Sequence, residues 1–303
     1  MIKLLIYYLL FFSVIFAEKF LTPIGNCSLE IYHDNKKDIS EIIELIKNET
    51  EYLVNKYGNV NKRKFSIIIT DNNKEFYKKT KGFAPEWSIA IARKKPDIII
   101  MKSPGLAKIS YMRMKEVLIH EINHIYLYRI PNNNSIPSWF KEGMAMHRAG
   151  ELSLLHKIEI SVAYWNNQII PLNELQNISL LNKRIKLAYG HSAAAIEALE
   201  FYYGKKILIN ILDNMKDNMN FKNAFEFSIK DNSQTFYIKF EEYIKNNYSW
   251  IFLFKSPQYI YVLLPVILSL GFIYSRYRNK MILKQWEIEE KINDNKCTDE
   301  LPN

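Results

Sequence analysis

His120-Glu121-Ile122-Asn123-His124 sets two imidazoles and a carboxylate within five residues. In a helix, residues four apart are offset by about 40° and 6 Å, so His120 and His124 present two ring nitrogens side by side to one ion. Glu121 falls between them on the same side, which lets its carboxylate reach a water on the ion rather than the ion itself. The pattern therefore supplies two metal ligands and a general base.

A zinc site that keeps one position open for water needs a third protein ligand. By residue type His147, His156, His191 and Glu142 all qualify. Glu142 lies one turn into an expected helix that Ser138 can cap, with Trp139 and Phe140 wedging it onto the core. Gly143 and Ala145 are expected to let this helix approach the one carrying His120 and His124. The two cysteines, Cys27 and Cys297, match no paired-cysteine zinc spacing, so thiolates are not expected as ligands.

The elements that must position these groups follow from periodicity. Apolar residues at 39, 42, 43, 46, 53 and 57 predict a helix over 39–57 with one greasy face. Three isoleucine-rich runs, 65–70, 87–92 and 97–101, are bounded by Gly, Pro, Lys and Asn and predict strands. The next helix, 110–129, carries the His-Glu pattern and packs through Met114, Leu118, Ile122 and Ile125. Beyond a loop at 131–137 the chain is expected to be helical.

HEINH followed by PSWFKEGMA resembles the gluzincin metallopeptidases, in particular the peptidase-MA-like group, in which HExxH precedes a W-x-x-E-G-x-A helix. Segments 87–101, 170–175, 188–204 and 221–225 are similar to that family's edge strand, turn and closing helices, so the resemblance spans roughly 65–250. It implies an α+β, zincin-like domain with a small N-terminal mixed sheet and a mainly helical C-terminal part. It also implies His120, His124 and Glu142 as ligands of Zn2+, Glu121 as general base, and an edge strand that pairs with an extended peptide. Tyr189, ahead of His191, is the expected donor to the oxyanion. Met146 stands where some gluzincins carry an acidic partner for a ligand imidazole, so such a carboxylate has to come from elsewhere.

The ends suggest a location. A short basic start and a 13-residue apolar run before Ala17 predict an export signal over 1–17, an uncleaved anchor being the alternative. Residues 256–275 carry no charge and precede Arg276, Arg278, Lys280 and Lys284, which predicts one transmembrane helix in membrane lipid with a cytoplasmic tail at 276–303. Residues 18–255 are then an extracytoplasmic, membrane-anchored domain.

With 48% hydrophobic and 24% charged residues the 303-residue chain is globular material rather than disordered or collagen-like. Its net charge of +9 is spread among acidic residues rather than gathered into an arm, so no nucleic-acid partner is expected. The expected activity is zinc-dependent hydrolysis of a peptide or protein substrate. The alternative is a non-catalytic, zinc-stabilised binding or scaffolding domain, against which the retained base Glu121 argues, because a closed structural site has no use for one.

Overall fold

The computed structural model describes residues 15–32, 39–85, 87–254 and 257–298, which fall into two compact units, Met1–Ser249 and Trp250–Asn303. The first opens with an antiparallel hairpin, β1 (Ile15–Thr22) and β2 (Gly25–Tyr32). Gly25 sits at φ +135°, and a Cβ there would meet the Arg63 carbonyl oxygen at 2.0 Å, so only glycine fits this turn. Helix α1 (Ile39–Tyr57) crosses over to β3 (Phe65–Thr70), which pairs parallel with β2. Helix α2 (Asn73–Thr80) leads to the hairpin β4 (Ala90–Arg93) and β5 (Ile98–Lys102). The strand order β1-β2-β3-β5-β4 makes a mixed sheet with β4 on one edge.

A short helix, α3 (Pro104–Ala107), precedes α4 (Tyr111–Leu127), whose N-cap Ser110 accepts the Arg113 N–H. Leu118, Ile122 and Ile125 of α4 are fully buried, as are Ile67, Ile99 and Ile100 of the sheet and Ile46 and Leu53 of α1. The predicted apolar face of α4 is thus the face that seats it in the core.

Helix α5 (Ser138–Ala149) follows, then α6 (Leu154–Trp165), α7 (Ile185–Tyr203), α8 (Ile207–Lys216), α9 (Phe221–Ile229) and α10 (Ser233–Tyr248). Trp139 and Phe140 anchor α5 in an aromatic cluster with Phe221, Phe225 and Phe236, at centroid separations of 4.8–6.1 Å. Two local expectations need correction. Pro137, not Ser138, is the N-cap of α5, and it makes no side-chain cap bond. Gly143 serves the approach of α7 rather than α4, since a Cβ on it would lie 2.3 Å from the Ser192 carbonyl oxygen.

The α+β arrangement of a mixed sheet followed by helices matches the expectation; the transmembrane helix does not. In the second unit α11 (Pro257–Thr298) runs 42 residues, and among the described residues no helix is long and apolar enough to cross a membrane. From Arg276 onward the same helix is charged. Membrane lipid as a partner, single-pass anchoring and the cytoplasmic tail that depended on the span are therefore withdrawn. Residues 1–14 of the expected signal lie outside the described residues; Ile15, Phe16 and Ala17 begin β1.

Candidate metal centre

α4 delivers His120, Glu121 and His124 to the wall of a cleft of about 570 Å³, and α5 delivers Glu142 to the same wall. The edge strand β4 and Tyr189 of α7 complete the cleft. The His120 and His124 Nε2 atoms lie 3.1 Å apart, and Glu142 Oε2 is 3.4 Å from each. Two bonds of about 2.0–2.1 Å at a tetrahedral angle place ligand atoms roughly 3.3 Å apart, so this triangle has the size that a single Zn2+ requires. The donor set of two imidazoles and one carboxylate fits zinc as well.

Electrostatics separates the two carboxylates. The His124 and His120 imidazoles hold Glu142 well below the usual carboxylate range in spite of its burial. Glu121 is buried too, and for it burial prevails: its pKa is raised, although His124, His120 and a hydrogen bond from the Ala92 backbone oppose the rise. A carboxylate with raised proton affinity beside the donor triangle has the character of a base.

A residue that sequence reasoning missed closes the other side of His120. Glu151 Oε2 lies 2.6 Å from His120 Nδ1, while its Oε1 lies 2.9 Å from Arg113 Nη1, itself 2.8 Å from Glu116. Glu151 follows Gly150, whose left-handed conformation (φ 70°) ends α5, and the Glu151 N–H returns to the Met146 carbonyl. The chain reversal thus puts a carboxylate where Met146 could not. The sequence signal was present as a glycine C-cap followed by an acid, but nothing local shows which way that acid turns. His124 has no equivalent, its buried Nδ1 lacking a partner among the described residues.

The remaining candidates separate. Tyr189 lines the cleft, and burial, then the negative charge of Glu142, Glu121 and Glu151, push its pKa up, so it stays a protonated donor. His191 is fully buried, with Nδ1 against the Leu187 carbonyl at 2.9 Å and its ring 6.1 Å from that of Phe240. It does not line the cleft. His147 pairs with Glu200 at 3.4 Å, and His156 reaches the cleft but is engaged with Ser153 at 3.0 Å.

The Peptidase MA superfamily model matches residues 47–245. Among solved structures, an M1 zinc metallopeptidase from Deinococcus radiodurans is 12% identical with a TM-score of 0.44, covering 76% of this chain and 51% of that one. An aminopeptidase N family protein from Idiomarina loihiensis is also 12% identical, with a TM-score of 0.41, covering 79% of this chain and 43% of that one. The chain thus spans about half the length of these structures or less. No curated protein matches.

Proposed function

The chain belongs to the Peptidase MA superfamily, and on that premise we propose that it is a zinc-dependent peptidase of the gluzincin type. The carrying observation is the His120, His124 and Glu142 triangle at 3.1–3.4 Å beside the buried Glu121, whose carboxylate accepts only a backbone hydrogen bond from Ala92 among the described residues. In this reading the three residues hold Zn2+, which when bound supplies a Lewis acid that activates water and polarises the scissile carbonyl. Glu121 takes the proton from the attacking water on its carboxylate and passes it to the leaving amine. Tyr189 donates its O–H to the oxygen that gains negative charge. Glu151 accepts the His120 Nδ1–H and so fixes the tautomer that leaves Nε2 free to bind. β4 is the edge strand that lines the cleft, and in this reading an extended substrate backbone lies along it, displacing the Ser88 and Tyr128 hydroxyls from the Ala90 and Ala92 carbonyls.

The test is metal content and cleavage of a peptide library by the full chain. One zinc per chain and hydrolysis that a chelator abolishes are expected. Glu142→Ala is expected to lose zinc affinity by about two orders of magnitude or more, while His147→Ala and His156→Ala each keep one zinc. Retention of zinc by Glu142→Ala with loss in a histidine variant would overturn the ligand set.

A further inference from the structure

Behind the cleft wall a second cavity of about 530 Å³ is lined by Arg63, Lys94, Lys95, Arg129 and Lys216, with four asparagines and no acidic residue in the lining. Two of these cations are consumed. Arg129, fully buried, bonds Asp97 and the Ile24 and Arg63 carbonyls, and Lys216 bonds Asp213 and the Tyr57 carbonyl. Three keep charge or donors to spare. Lys94 bonds only the neutral amide oxygens of Asn133 and Asn134, and Lys95 makes no ion pair among the described residues. Arg63 spends one nitrogen on Asp97 and the Tyr128 carbonyl while its buried Nε has no partner among the described residues. Burial, then the like charges of Lys95 and Arg63, depress the Lys94 pKa and outweigh the opposing charge of Asp97, as expected where cations outnumber their counter-ions.

Tyr128 lines both this cavity and the metal cleft, and the β4–β5 hairpin serves both as well: Ala90 to Ala92 face the cleft, Lys94 and Lys95 the cavity. Tyr128, whose hydroxyl donates to the Ala92 carbonyl at 3.4 Å, stands where the two meet, and a peptide lying along β4 past it reaches Lys94 about two residues beyond Ala92, at roughly 3.3 Å each. We infer that the Arg63, Lys94 and Lys95 cavity is a substrate subsite that selects peptides carrying acidic side chains two to four positions to one side of the cleaved bond, an inference that rests on the peptidase reading above. The arrangement suits successive carboxylates better than one small oxyanion. With Arg129 and Lys216 already bound, the donors left are on three separate side chains, Lys94 and Lys95 of the β4–β5 turn and Arg63, each able to take a carboxylate of its own.

The test compares three peptides with the zinc-loaded full chain: a neutral one that it cleaves, and the same peptide with two glutamates two to four positions before or after the cleaved bond. One glutamate peptide is expected to show a KM about tenfold lower than the neutral peptide at low salt, from two or three partly exposed charge pairs. The preference should fade near 0.5 M salt, where the screening length falls to about 4 Å. In Lys94→Gln/Lys95→Gln the ratio of acidic to neutral KM should approach one. Lys95→Gln alone, which leaves the Asn133 and Asn134 bonds in place, should lose part of the preference. No preference for either flank, or a preference that survives the double variant, would overturn the subsite while leaving the peptidase reading intact. Binding of the labelled peptides to the metal-free full chain separates the two claims: a glutamate peptide bound about tenfold tighter than the neutral one supports the subsite even where no peptide is cleaved. Saturable binding of inorganic phosphate that the glutamate peptide does not displace would identify a small-anion site and refute the subsite.

Discussion

On the cleft side of Tyr128, Glu121, Glu142 and Glu151 stand among His120, His124 and Arg113; on the far side, Arg63, Lys94 and Lys95 stand with few acidic partners. In the first region charge is matched closely. Glu142 faces two imidazoles, Glu151 bridges an imidazole and a guanidinium, and both carboxylates are held below their ordinary range. Glu121 is the exception, and its burial raises it. In the second region the positive charge is in surplus. The contrast teaches where each kind of chemistry resides: matched charges position groups, and the group left without a tight partner is the one free to exchange a proton or attract a ligand.

The sharpest way to break this comparison is to neutralise the exceptional carboxylate. Glu121→Gln is expected to lower kcat by about 10³-fold while zinc stays stoichiometric by elemental analysis, because in the proposed mechanism the group moves a proton and does not bind the ion. Loss of the metal would place Glu121 among the ligands instead. Tyr189→Phe comes next, with kcat reduced about 10²-fold and KM little changed, the signature of a donor that acts on the transition state. Were KM alone to rise, Tyr189 would be a packing residue of the cleft.

Breaking a matched pair should cost less. Glu151→Gln is expected to weaken zinc about 10- to 100-fold in a chelator competition, and Glu151→Asp to recover part of it. Equal affinities in all three proteins would remove Glu151 from the site's support. The smallest effect concerns the scaffold. Gly143→Ala forces a Cβ against the Ser192 carbonyl and should cost about 1–3 kcal/mol, read as a lower thermal midpoint, as α5 and α7 move apart. An unchanged midpoint would mean that the two helices are not held at this crossing.

Much of this was legible because it is local. The apolar period of α1 and of α4 located both helices and the face each buries, and isoleucine runs located β3, β4 and β5 to within about three residues. β1 and β2 were not anticipated, since the apolar start of β1 adjoins a run that reads as an export signal. The charge-free run at 256–275 has the composition of a span, yet its helix continues through a charged half, and among the described residues no helix is long and apolar enough to cross a membrane.

The sequence by itself determined the pairing of His120 with His124, and the presence of Glu121 beside them, because a helical turn fixes those relations without reference to the rest of the chain. It also determined the family, through the HEINH and W-x-x-E-G-x-A segments. Glu142 was implied by that motif, but only the tertiary structure decided the 3.4 Å geometry with which it meets both imidazoles, that Glu151 lies against His120 Nδ1, that Tyr189 faces the cleft while His191 is sealed in the core, and that distant cations gather behind Tyr128. Each of these depends on how helices cross and where a chain reverses. Those are settled by the packing of Trp139, Phe140 and Gly143 against partners some 50 to 100 residues away along the chain.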